Sequence, residues 1–363
     1  MGPLRTVQAA VDLTPAMAGR FSLAEAVVAA PRGGAYVSMA ADDGSGIRRL
    51  ATVGQSATGL GVTRSVPMPG LESVSGLFPS GNRVLATGRI SGATPGGIGY
   101  GFELIDPASG KTRVTVVVPF PTGTTSSIGR STLSPDGRTL YQFVSVGRGS
   151  VADEHLLAVD VATGAIRVDR GLGADLDPIS DGPVGHDAVG LVARPGGGVT
   201  LVFDATPDRF RPERIPTLLT YDAGLGPVGA AVPATSATDG AQTDAIAAAS
   251  DGTVFLSIRL DSGAGIIAVP DRGGAGPVLI QLRDPHRDYA LVVEPAQVWG
   301  LVPAQEGARA IDLTTGQVRA PIDLGCPGQD VRAMVPGGDG GVLLIGVCNS
   351  PRTRTQMLWV VGP

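Results

Sequence analysis

The stretch Ala158-Val159-Asp160-Val161-Ala162-Thr163-Gly164-Ala165-Ile166-Arg167 reads as strand, aspartate, tight turn, strand. Its aspartate can accept backbone N–H bonds inside the turn, and its glycine supplies the positive φ that closes it. Leu104-Ile105-Asp106-Pro107-Ala108-Ser109-Gly110-Lys111-Thr112-Arg113 and Ala310-Ile311-Asp312-Leu313-Thr314-Thr315-Gly316-Gln317-Val318-Arg319 repeat the pattern. Weaker copies stand at Tyr221 to Gly224 and Pro270 to Gly274. One hairpin therefore recurs along the chain.

Upstream of each hairpin lies a second turn, at Pro31, Pro79, Pro135, Pro195, Ser250, Pro295 and Pro336. The spacings are 48, 56, 60, 55, 45 and 41 residues, room for four strands of about 5–6 residues with their connections. A lone four-stranded meander leaves a face unburied, so such units must stack or close radially. Only 27 residues follow Pro336, enough for two strands (341–347 and 356–361), and the missing strand is available at Thr6–Leu13. The expected fold is an all-β, seven-bladed β-propeller of four-stranded antiparallel blades, its ring closed by the N-terminal strand completing the last blade. Residues 1–363 form one domain on this reading, with blades near 24–67, 72–120, 126–170, 186–233, 243–283, 288–324 and 330–363 plus 5–13.

Composition agrees. Gly and Pro fill 54 and 29 of the 363 positions, which disfavours long helices, and only 4% of residues are aromatic, so the core rests on Val, Ala, Leu and Ile. A net charge of −5 argues against a nucleic-acid backbone binder. No apolar run approaches the roughly 18 residues of a membrane span. No G-x-S-x-G, H-E-x-x-H or C-x-x-C motif occurs, and Gly110-Lys111-Thr112 lacks the first glycine of a P-loop.

The Ser134-Pro135-Asp136-Gly137-Arg138-Thr139-Leu140-Tyr141 turn and the Asp-x-x-[Ser/Thr]-Gly hairpins resemble the bacterial YVTN and quinoprotein-like propeller repeats. The resemblance implies the fold and leaves the function open. The Trp-Asp dipeptides of another propeller class are absent, and Trp299 and Trp359 fall inside strands as packing residues.

In such blades the connections into the first strand, and those between the second and third, share one face. Loops at 91–101, 145–155 and 204–216 would raise its rim. Candidate ligand-binding residues there are Arg130, His155 and, in the charged segment 204–214, Arg209, Phe210, Arg211 and Arg214, where arginine forks suit carboxylate or phosphate. Glu25, Glu72, Asp187, Asp244, Asp288 and Asp330 each precede a blade's first turn by 6–8 residues. Converging on a channel mouth they would hold a divalent cation, Ca or Mg; as separate turn acids they would accept backbone N–H bonds. His186 and His286 lie in the same class of loop and are candidate catalytic bases.

Cys326 and Cys348 fall on the same side of the last blade and are expected to pair, which favours an oxidising compartment. The chain is then an exported or cell-surface monomer whose signal segment lies outside these residues, a cytoplasmic location being the other reading. The first functional expectation is a binding or scaffolding propeller that engages a protein or small ligand, not nucleic acid, through the long-loop face. The alternative resembles streptogramin lyases or lactonases, with a metal at the acidic mouth and His186 or His286 beside it.

Overall fold

The computed structural model describes the chain except for residues 1–5, 19–21, 32, 57–58, 95–96, 121–125, 149–150, 180–186, 206–213, 235–240, 261–262, 272–277, 283–291, 295–296, 305–306, 313–317, 327, 338–340, 350–352 and 363. At some strand residues beside these gaps the backbone alone is described.

Strand β1 (Thr6–Asp12) comes first. The first blade then pairs β2 (Ser22–Ala29), β3 (Ala35–Ala41), β4 (Arg48–Ser56) and β5 (Gly59–Pro67). The second holds β6 (Leu71–Ser80), β7 (Arg83–Thr94), β8 (Gly97–Ile105) and β9 (Thr112–Pro119). The third holds β10 (Ser126–Leu133), β11 (Thr139–Arg148), β12 (Val151–Asp160) and β13 (Ile166–Gly171), followed by the one-turn helix α1 (Gly173–Leu176). The fourth is β14 (Asp187–Ala193), β15 (Val199–Ala205), β16 (Ile215–Tyr221) and the short β17 (Val232–Pro233). The fifth is β18 (Gln242–Ala248), β19 (Val254–Leu260), β20 (Gly263–Val269) and β21 (Val278–Leu282). The sixth is β22 (Val292–Glu294), β23 (Gln297–Ala304), β24 (Gly307–Asp312) and β25 (Val318–Ile322). Finally β26 (Gln329–Pro336), β27 (Val342–Asn349) and β28 (Arg354–Gly362) join β1 in the order β1-β28-β27-β26.

The expectation of a seven-bladed closed ring is corrected to what the strand pairing supports. Among the described residues, six blades each consist of four consecutive antiparallel strands, a composite four-stranded sheet draws on both ends of the chain, and no sheet closes on itself. The reason lies in connectivity: β1 pairs with β28 from Thr6↔Gly362 to Asp12↔Met357, so the last sheet is not a consecutive meander.

The hairpin pattern is realised as read. Asp106 accepts N–H bonds from Ala108 at 2.8 Å and Ser109 at 3.2 Å, and Asp160 accepts one from Thr163 at 2.8 Å. Gly110 and Gly164 adopt φ of 75° and 78°, which a side chain would strain. The Asp312 copy runs into residues outside the described set.

Two of the three expected long loops are strand instead. β11 and β12 pair without a break from Thr139↔Asp160 to Arg148↔Val151, and β7 and β8 run to Thr94 and from Gly97. Their Gly and Ser content reads as loop, yet two arms side by side satisfy each other's backbone groups. The third expected loop, after Ala205, lies mostly outside the described residues.

The chain forms two compact units. In Met1–Ser91, Gly101–Thr115 and Val292–Pro363, one core joins Leu13, Met17, Val37, Met39, Ile345 and Leu358, and a second gathers Leu50, Met68, Leu71, Val84 and Ile105. Trp359 is wholly buried there, and its Nε1 donates to the Leu324 carbonyl at 3.0 Å, in keeping with a packing role. In Gly92–Tyr100 and Val116–Leu291, Tyr141, Phe143, Phe203 and Tyr221 centre one core, and Val202, Leu256, Ile258 and Ile267 another.

Candidate functional site

The first strands of most blades share a device absent from any simple repeat. β2, β14, β18 and β26 each carry one β-bulge, with Glu25, Val189, Asp244 and Arg332 as the inserted residues, and β6 carries two, at Glu72 and Ser75. A bulge re-aims its side chain and strengthens the local twist. The six aligned acids are thus not equivalent: Glu25, Glu72 and Asp244 occupy bulges, whereas Asp187 and Asp330 stand two residues before one.

Three of those acids meet an arginine of their own sheet. Glu25, 18% exposed, accepts from Arg48 Nε at 3.2 Å and from Ser38 Oγ at 3.0 Å. Burial pushes its carboxyl pKa up, against the pull of Arg48 and Ser38. Asp244, 10% exposed, takes a 2.7 Å bond from an Arg259 guanidinium nitrogen. Asp330 is open to solvent and meets Arg332 Nε at 3.4 Å. Glu72 is exposed. For Asp187 the backbone alone is described, opposite Asp204. Asp288, His186 and His286 fall outside the described residues. Among the described residues no group of three or more His, Cys, Asp or Glu side chains is placed to hold a metal ion. A divalent cation at Glu25 or Asp244 would first have to displace an arginine.

The ligand-binding candidates divide similarly. Arg130 Nε donates to the carbonyl of bulged Val189 at 3.0 Å, fastening β10 to β14. Arg214 is described, and its carbonyl accepts from Ala241 N at 3.1 Å. Arg209, Phe210 and Arg211 lie outside the described residues. His155, on β12, sits between two carboxylates: Nδ1 is 2.6 Å from Asp169 and Nε2 is 3.0 Å from Asp153.

Sequence reasoning missed the side chains that hold one blade to the next. Asp204, at the end of β15, accepts from Thr243 N at 3.1 Å and Thr243 Oγ1 at 2.7 Å beside the β18 bulge. Gln356 Oε1 does the same for Ala24 N at 3.1 Å, beside the β2 bulge. The signal for the ion pairs was present as arginines at the matching strand ends, Arg48 opening β4 and Arg259 near the end of β19. Glu103 was missed because nothing local marks it: fully buried, it accepts from Gly70 N at 3.2 Å, and desolvation raises its pKa although Thr112 and Gly70 oppose it. Cys326 and Cys348 form the expected disulfide, with Cα atoms 5.8 Å apart.

No family model and no curated protein matches the chain. Solved structures do. Virginiamycin B lyase from Staphylococcus aureus aligns with 99% of this chain and 100% of its own, at TM-score 0.60 and 10% identity. A putative 6-phosphogluconolactonase from Bacteroides uniformis aligns over 82% of this chain and 85% of its own, at TM-score 0.51 and 16% identity. Puromycin hydrolase covers 92% of this chain with 51% of its own, at TM-score 0.51 and 15% identity. The narrower YVTN or quinoprotein-like grouping gains no support from these matches. At such identities the likeness carries architecture and no activity, and the chain has a β-propeller fold.

Proposed function

We propose that this propeller is an extracytoplasmic binding or scaffolding module. The observation that carries the reading is the neutralisation of acids within their own blades, Glu25 by Arg48 and Asp244 by Arg259. Carboxylates held this way build blade ends rather than ligate a catalytic ion. Recognition then falls to the extended β7–β8 and β11–β12 arms and to the charged segment 206–214. The Cys326–Cys348 disulfide supports an oxidising compartment. No helix among the described residues is long and apolar enough to cross a membrane.

The test is a ligand and protein pull-down screen with residues 209–214 replaced by Gly/Ser. Loss of captured partners with unchanged melting supports the reading; unchanged capture removes that segment from it.

A second reading, a lyase- or hydrolase-like propeller enzyme, is favoured by the full-length likeness to virginiamycin B lyase. It requires a bound divalent ion near His186 or His286, so metal analysis of the purified protein separates the two.

A further inference from the structure

We propose that Asp153, His155 and Asp169 form a proton-operated clasp that fastens β13, the outer strand of the third blade, to the β11–β12 arm.

A neutral imidazole has one N–H and one lone pair, whereas an ionised carboxylate only accepts. Here both ring nitrogens face carboxylate oxygens, at 2.6 Å and 3.0 Å. Only the doubly protonated ring satisfies both contacts; the neutral ring would point a lone pair at one of the two oxygens. The carboxylates also lie against different ring nitrogens, so one ion could not gather all three side chains.

The surroundings isolate the clasp. On its own strand Asp153 stands two residues away, on the same face, while Glu154 points to the other face, buried, with its carboxylate 3.5 Å from Ser145 Oγ. β11 sets Val144 opposite His155. From β13 comes Asp169, diagonal to His155, since their direct partners are Leu157 and Gly171. The other charged groups of β13 are engaged elsewhere, Arg167 with Asp160 and Arg170 with Asp175. No further charged group is therefore needed to explain the bridge.

The clasp closes the last rungs of the β12–β13 ladder, where the chain turns into α1 and Leu172 N bonds to the Glu154 carbonyl at 2.9 Å. Partial burial draws the imidazole pKa down, but the hydrogen bond and charge of Asp169, joined by those of Asp153, outweigh it and the net shift is upward from 6.5. A histidine raised in the fold stabilises it fully below 6.5 and loses that contribution as pH rises through the raised value. The clasp thus holds both carboxylates while the ring is charged and only one once it is neutral, whatever the protein binds.

The experiment is an NMR titration of the histidine ring protons, assigned with His155→Gln, together with amide hydrogen exchange over residues 168–171. Asp169→Ala and Asp153→Ala are each compared with the parent protein at equal pH, with every rate divided by the intrinsic rate of its own sequence and residues 169 and 170 left out for Asp169→Ala. Expected are a His155 pKa above 6.5 that falls in both variants, and exchange in Asp169→Ala about two- to fivefold faster at pH 6 with a smaller acceleration at pH 9. Titration of His155 at or below 6.5, or equal acceleration at both pH values, overturns the clasp. Because Asp153 and Asp169 are 81% and 51% exposed, neither variant empties a core.

Discussion

Asp204 is 6% exposed and accepts hydrogen bonds from both the backbone N–H and the hydroxyl of Thr243. Replacing it with alanine strands the Thr243 N–H beside the β18 bulge, and urea unfolding should show a loss of about 1–3 kcal/mol. Glu103 makes a pH-dependent prediction. Its folded pKa is raised above 4.5, so the folded state holds the proton more tightly, and stability falls as pH climbs from 4.5 through the raised value. Glu103→Gln removes that slope while keeping an acceptor for Gly70 N. The variant should gain on the parent in urea midpoint between pH 4.5 and 7.5; a difference that does not change with pH would contradict the assignment. Neither residue was legible in the sequence, since its partner is set by packing between strands and not by spacing.

At the scale of the element, the bulges explain why the acid alignment looked better in sequence than in space. Counting back from each turn merges the bulge with the position two before it, because an inserted residue is invisible to a count. The glycines opposite were legible only as turn or loop formers. Gly346 faces the β26 bulge, and a Cβ there would collide with the Asp330 carbonyl oxygen. That neighbour is backbone and cannot rotate away. Gly346→Ala should therefore cost about 1–3 kcal/mol in chemical denaturation. By contrast, Gly137 has nothing within 4 Å of a built Cβ, so its alanine variant is strained only through its φ of 70° and should lose less. Equal losses would remove the close-approach argument. The Asp106 and Asp160 hairpins, by comparison, were readable in full because turn chemistry is local.

For the whole molecule, repeat period and chain ends were enough to give four-stranded antiparallel blades, the pairing of β1 with the C-terminal strands and the disulfide. They did not give the strand arms at β7–β8 and β11–β12, whose order comes from mutual pairing, nor the arginine partners that neutralise the acids. The disulfide closes a separation of 22 residues. Its loss in Cys326→Ser should lower stability by about 3 kcal/mol, read as a fall in Tm. An unchanged Tm would mean that the bond constrains nothing the fold needs.

Glu25 and Asp244 are structural ion-pair partners of Arg48 and Arg259 rather than ligands of a catalytic ion. The direct measurement is elemental analysis of the purified protein for divalent metals, paired with Tm before and after chelation and on return of Ca2+ or Mg2+. Ion-paired acids should leave the protein with no stoichiometric ion and a Tm that neither chelator nor added cation moves. A retained ion near one per chain, with a Tm that falls on chelation and recovers on its return, would contradict it.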